Sequence, residues 1–133
     1  MIDCVILAAG NGEEGMSMKA TEPLDMELVG ELQDIMADGF VTLVDSYQRD
    51  SAQRLISMQA ALDADDRGQL RQLAHSLKGS SSNLGAVQVT ALCIVLEGRV
   101  ADADASELQA LLKALDEAHV TAIEALTELC KGS

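Results

Sequence analysis

Three observations in the sequence predict an all-α fold. The 133 residues are rich in Ala and Leu, hold one Phe, one Tyr and no Trp, and contain a single proline, Pro23. Those are the biases of a helical chain. From about Leu24 onward, apolar residues recur every three or four positions, the period of a helix with one buried face. The periodic segments are long and the breaks between them short, which makes consecutive helices antiparallel neighbours. Together these predict an antiparallel up-down four-helix bundle, preceded by an additional short N-terminal helix and a flexible N-terminal extension. Residues 1–23 are assigned to the extension and residues 24–133 to the bundle. A chain of this length makes one domain, with a core large enough to be stable without disulfides or metals.

The elements follow from local pattern. Leu24, Leu28, Leu32 and Ile35 define a short first helix ending near Gly39. Phe40, Leu43, Val44, Tyr47, Leu55, Met58 and Leu62 define a long second one, stopped at Asp63-Ala64-Asp65-Asp66, a turn that also offers an N-cap. The third runs from about Arg67 to Leu84 and is interrupted by Gly85. The fourth, Val87 to Val100, is apolar almost all round, as expected of a helix buried on several sides. After a loop at Ala101 to Ala105, Ser106 and Gln109 form an S-x-x-Q capping box ahead of the stripe Leu108, Leu111, Leu115, Ala122, Leu126 and Leu129.

Charge and motif content exclude several function classes. Twenty-two acidic residues against nine Lys and Arg give a formal charge of -13, a surface that repels nucleic acid and anionic membranes. No apolar run reaches the roughly 18 residues of a membrane span, and Cys4 to Ala9 lacks the basic flank of a signal peptide. We therefore expect a soluble cytoplasmic monomer. Cys4, Cys93 and Cys130 show neither C-x-x-C nor zinc-ligand spacing and are read as free thiols, with no metal site and no cofactor. The N-terminal "CVILAAGNGEEG" contains G-x-G-x-x-G, the dinucleotide-binding pattern. No second strand follows it, and Glu13 and Glu14 stand where a pyrophosphate would have to bind. It also echoes the L-A-A-G-x-G opening of sugar nucleotidyltransferases, which place a basic residue where these glutamates stand. The motif is read as coincidence.

The stretch that carries chemistry is "LRQLAHSLKGSSSNLGA", Leu70 to Ala86. On a helix with 3.6 residues per turn, Leu73, Ala74, Leu77, Ser81 and Leu84 fall on the same side as Leu70 and form the buried stripe. His75 falls about 140° away, at the solvent side, among Arg71, Lys78, Gly79 and Ser82. Gly79 weakens the helix by about 1 kcal/mol relative to alanine and leaves space beside His75, four residues earlier. No Asp or Glu occurs from Gly68 to Leu96, and Arg67, Arg71 and Lys78 are the only charged side chains from Arg67 to that point. An exposed imidazole with cleared space and a lysine one turn away suits phosphoryl chemistry, because neutral imidazole is a good nucleophile near pH 7. His119, in "DEAHVTAIEAL", has no companion motif and is read as a surface or groove histidine.

"AHSLKGSSSNLGA" followed by "ALCIVLEGRV" closely resembles the bacterial histidine phosphotransfer (Hpt) domain of two-component phosphorelays. Its signature is A-H-x-L-K-G-S-x-x-x-x-G-A, with C-x-x-L-E on the next helix. The resemblance spans about Leu24 to Leu129. It implies that His75 is the phosphoacceptor, that Lys78 stabilises the phosphoryl charge, and that Gly79 gives clearance. It also implies that Glu97 orients the imidazole through the ring nitrogen that is not phosphorylated, unless Glu97 is an ordinary exposed acid. Arg71 and Ser82 are assigned to partner binding. The implied partners are response-regulator receiver domains, supplying the phospho-aspartate and Mg²⁺, and a hybrid histidine kinase. The sequence has no P-loop and no kinase ATP domain, so a phosphocarrier is expected, not an enzyme. The alternatives are the substrate domain of a chemotaxis-type histidine kinase and a non-catalytic helical adaptor.

Overall fold

The computed structural model describes residues 22–132, and every helix in it is α. The N-terminal glycine motif, and most of the segment assigned to the extension, lie outside the described residues. The elements are α1 (Met26–Met36), α2 (Gly39–Asp63), α3 (Arg67–Leu84), α4 (Val87–Arg99) and α5 (Ala105–Gly132). Helix α2 packs on α3 and α5, and α4 also packs on α3 and α5, closing a ring of four. Cross-helix hydrogen bonds fix the directions. Ser51 meets His119 and Gln59 meets Gln109, so numbering falls along α5 as it rises along α2. Arg67 meets the carbonyl of Val100 and His75 meets Glu97, reversing α4 on α3 in the same way. Tyr47 meets Ser81 across the short turn between α2 and α3, so those two helices are also reversed and the bundle is up-down.

Two of the turns end in the same pair of closing hydrogen bonds. After α2, Asp66 N–H donates to Ala61 O and Asp65 N–H to Leu62 O; after α3, Ala86 N–H donates to Ser81 O and Gly85 N–H to Ser82 O. Each requires a left-handed residue, supplied by Asp65 at φ 56° and by Gly85 at φ 82°. Asp66 then caps α3 by accepting from Gln69 N–H. The loop after α4 is held from the start of α3, where Arg67 donates to the carbonyls of Val100 and Ala103.

Leucines and small residues fill the core. Leu70, Leu77, Leu96, Leu108, Leu115, Leu126 and Met58 are fully buried, with Ala74, Ala86 and Ala122 between them. Both aromatic residues, Phe40 and Tyr47, are inside.

Several sequence expectations are corrected. Helix α1 ends at Met36 rather than near Gly39: Ala37 takes a positive φ of 49°, and Gly39 instead opens α2. Its buried residue is Val29, while Ile35 faces solvent at 80% exposure. The cause is the anchor at its start. Asp25 caps the helix from Glu27 and Leu28, and its own N–H donates to Gly85 O at 2.7 Å, which rotates Val29 onto the α3–α4 turn. Helix α5 is capped by Asp104, which accepts from Glu107 N–H, and not by Ser106. Helix α4 is not buried on several sides, since Ile94 and Val95 are exposed.

Candidate functional site

Helix α3 forms the expected stripe: Leu70, Ala74, Leu77, Ser81 and Leu84 are buried, and Leu73 is half-buried. With that face inward, His75 must point out, and its side chain is 67% exposed. Helix α4 supplies the other half of the site. Leu92, Cys93 and Leu96 are buried, and this sets Glu97, one turn after Cys93, at the rim of the α3–α4 groove.

The structure brings His75, Lys78 and Glu97 together. Glu97 Oε2 lies 2.8 Å from His75 Nδ1, and Glu97 Oε1 lies 2.9 Å from Lys78 Nζ. The Lys78 hydrogen bond holds the Glu97 carboxyl below its usual range, against a smaller opposing effect of desolvation and with further help from His75. An ionised carboxylate can only accept. In the neutral ring the proton therefore sits on Nδ1, and the Nε2 lone pair is left for other chemistry. The sequence window without acids is thus completed in space by Glu97, the first acid beyond it.

Gly79 is exposed, and a Cβ added there would meet nothing within 4 Å. The fold does not need glycine at this position, so the cleared space is a property of the surface. Arg71 and Ser82 are exposed on α3 as well. Ser82 lines a groove with Leu28 of α1 and Ile94 of α4. Arg67, by contrast, is spent on Asp65 and on the loop carbonyls. Burial pushes the Cys93 thiol up to about 12, with Glu97 adding to the effect, so beneath the site it stays protonated.

His119, expected on the surface or in a groove, is 6% exposed and lines the groove between α2 and α5 with Leu55, Ile56 and Asp116, and its Nε2 lies 2.5 Å from Ser51 Oγ. Ser51 Oγ donates to Tyr47 O, so His119 is the donor in the Ser51 contact. Tyr47 in turn shares a 2.7 Å hydrogen bond between its hydroxyl and Ser81 on α3. The sequence did carry a signal: His119 falls four residues after Leu115 and three before Ala122, on the buried stripe of α5. Among the described residues, no group of three or more His, Cys, Asp or Glu side chains could hold a metal ion.

Comparison with known proteins places this arrangement. The Hpt domain family model matches residues 42–130, a span that contains His75, Lys78, Gly79 and Glu97. The chain belongs to the Hpt domain family. Histidine-containing phosphotransfer protein B (HptB) from Pseudomonas aeruginosa PAO1 superposes with a TM-score of 0.79 at 32% identity, over 85% of this chain and 98% of that one. A rice protein described as a histidine-containing phosphotransfer protein has a TM-score of 0.72 at 18% identity, over 96% of this chain and 90% of that one, and shares the fold. Among curated protein sequences there is no match. Within this Hpt domain, α1 lies outside the matched residues and is attached through the Asp25–Gly85 bond.

Proposed function

We propose that this chain carries a phosphoryl group between receiver domains on His75. As an Hpt domain it is a phosphorelay intermediate; its own residues decide where the group would sit. The observation that carries the assignment is the contact between His75 Nδ1 and Glu97 Oε2. It leaves Nε2 as the nucleophile of an otherwise exposed ring. The Nε2 lone pair attacks the phosphorus of a receiver phospho-aspartate held with its Mg²⁺. The N–P bond forms as the P–O bond breaks, and the aspartate carboxylate leaves. A second receiver aspartate reverses these steps. As charge develops on the ring, the Glu97 carboxylate stabilises it, in the way the buried aspartate of a catalytic triad stabilises its histidine.

Gly79 admits the incoming receiver, and Lys78 brings positive charge to the same edge. The groove holding Ser82, Leu28 and Ile94, together with exposed Arg71, forms the adjoining docking ground. We read the protein as a cytoplasmic, monomeric phosphocarrier that neither binds ATP nor phosphorylates itself, with a hybrid histidine kinase upstream. The chemotaxis-kinase and silent-adaptor alternatives are not favoured by the family match or by the relative at 32% identity.

The test is transfer. Receiver domains charged with labelled phosphate are mixed with the protein or with its His75→Gln variant. Acid-labile label on the unsubstituted chain alone supports the reading; label on both proteins, or on neither when every receiver is charged, contradicts it.

A further inference from the structure

The four helices of the ring follow one another in the order α2, α3, α4, α5. The groove between α2 and α5 therefore lies across the bundle from the α3–α4 groove that holds His75. Its volume is about 860 Å³, within the roughly 300–1,000 Å³ of small-molecule sites. Ala52, Leu55 and Ile56 line it from α2, and Ala110 and Leu112 from α5. Near one end the Gln59 and Gln109 amides bridge the two helices through hydrogen bonds of 2.7 and 2.9 Å. Near the other, the Ser51–His119 bond does so. From Ser51 to Gln59 the groove runs about 12 Å along α2.

The His119 end calls for a hydrogen-bond donor. His119 is 6% exposed. Its Nε2–H donates to Ser51 Oγ, whose own proton goes to the Tyr47 carbonyl. The neutral ring then carries its lone pair on Nδ1, and no described residue donates to that atom. A buried acceptor left unsatisfied is unfavourable, and a ligand that donates to it removes the penalty. Asp116 lines the same groove three residues earlier on α5, on a neighbouring position of the helix surface. Its carboxylate also only accepts.

Charge selects among donors. Asp116 favours a cation, and so does the formal charge of -13 on the chain. Lys113, also on the groove wall, is exposed; its stem can lie against the apolar side chains with the ammonium in water. The length of apolar wall between the two bridges suits a hydrocarbon tail.

We propose that the α2–α5 groove is a binding site for an amphiphilic amine. The ammonium donates to His119 Nδ1 and to Asp116, and the apolar tail lies along Leu55, Ile56 and Ala110 toward the Gln59–Gln109 bridge. The site is separate from His75 and adds a ligand to a chain otherwise read as a phosphocarrier.

The test is an NMR titration of the full chain with n-octylammonium, with octan-1-ol and octanoate as probes of the same chain length. Octylammonium should shift the amides of Ile56 and Ala110 saturably and move the His119 Nδ1 resonance, leaving the His75 ring where it was. It should bind roughly tenfold more tightly than octanol, which donates without a charge, and octanoate should produce no saturable shift. Asp116→Asn should remove the advantage over octanol. Ala110→Leu, which fills the groove from an exposed position, should abolish binding, with far-UV circular dichroism confirming that both variants fold. The proposal is overturned by an absence of saturable shifts, by equal affinity for octanol or octanoate, or by binding that Ala110→Leu leaves unchanged. No receiver takes part in the titration, so its failure would leave phosphoryl acceptance at His75 untouched.

Discussion

Glu97 on α4 and His75 on α3 are 22 residues apart in sequence and share a 2.8 Å hydrogen bond between Oε2 and Nδ1. The contact exists because two hydrophobic stripes, Leu70–Ala74–Leu77 on α3 and Leu92–Cys93–Leu96 on α4, are both turned inward. Whatever orients the imidazole is thus a consequence of core packing.

Removing that contact should slow phosphoryl transfer with little effect on folding, because Glu97 stands at the rim and not in the core. Glu97→Ala, which deletes the acceptor, should reduce the transfer rate roughly tenfold, the kinetic equivalent of one charge-assisted hydrogen bond. Glu97→Gln keeps an acceptor oxygen without its charge and should fall between. Single-turnover transfer from a charged receiver measures both.

Gly79 should separate stability from access. A Cβ there meets nothing within 4 Å, so Gly79→Ala should be more stable by about 1 kcal/mol in urea unfolding, from helix propensity alone. Gly79→Gln should also fold, and should block transfer by filling the space beside His75. Unimpaired transfer in Gly79→Gln would show that the glycine is not there for clearance.

The Tyr47–Ser81 bond is buried between α2 and α3. Either Tyr47→Phe or Ser81→Ala leaves a partner hydroxyl unsatisfied in the core and should destabilise by about 1 kcal/mol. The double variant should lose less than the sum, since it removes both polar groups. Chemical denaturation of the three variants closes the cycle.

His119 should make stability depend on pH. Burial lowers its pKa below the ordinary 6.5, with Asp116 partly opposing the shift. The unfolded chain then takes up the proton at a higher pH than the folded one. The contribution of His119 is complete above about pH 6.5 and declines as pH falls through and below it. His119→Gln should flatten the difference between unfolding free energies measured at pH 7.5 and pH 5.5, while leaving transfer chemistry at His75 in place.

Much of this was legible in the sequence, and the exceptions have physical causes. The stripe on α3 and the outward position of His75 follow from helical period alone. The start of α5 did not, because two capping patterns overlap there: Asp104 with Glu107, and Ser106 with Gln109. Asp104 prevails because Ala103 is buried just before it and its carbonyl is clamped by Arg67, which fixes where the helix can begin. Similarly, α1 has two apolar sets, and the choice of Val29 over Ile35 is made by the Asp25–Gly85 bond across the fold. His119 was on the buried stripe by spacing; only the Ser51 partner on another helix explains how a polar ring is accommodated there. The Glu97 contact likewise depends on how α4 crosses α3, which spacing within either helix does not specify.

The most direct measurement is the site of phosphorylation. The protein is charged from a phosphorylated receiver, and phosphorus and nitrogen NMR of the product identify the modified ring and the modified nitrogen. We expect a single phosphoramidate on Nε2 of His75, with the proton retained on Nδ1 beside Glu97. A phosphoryl group on Nδ1, on His119, or on no histidine at all would contradict the assignment.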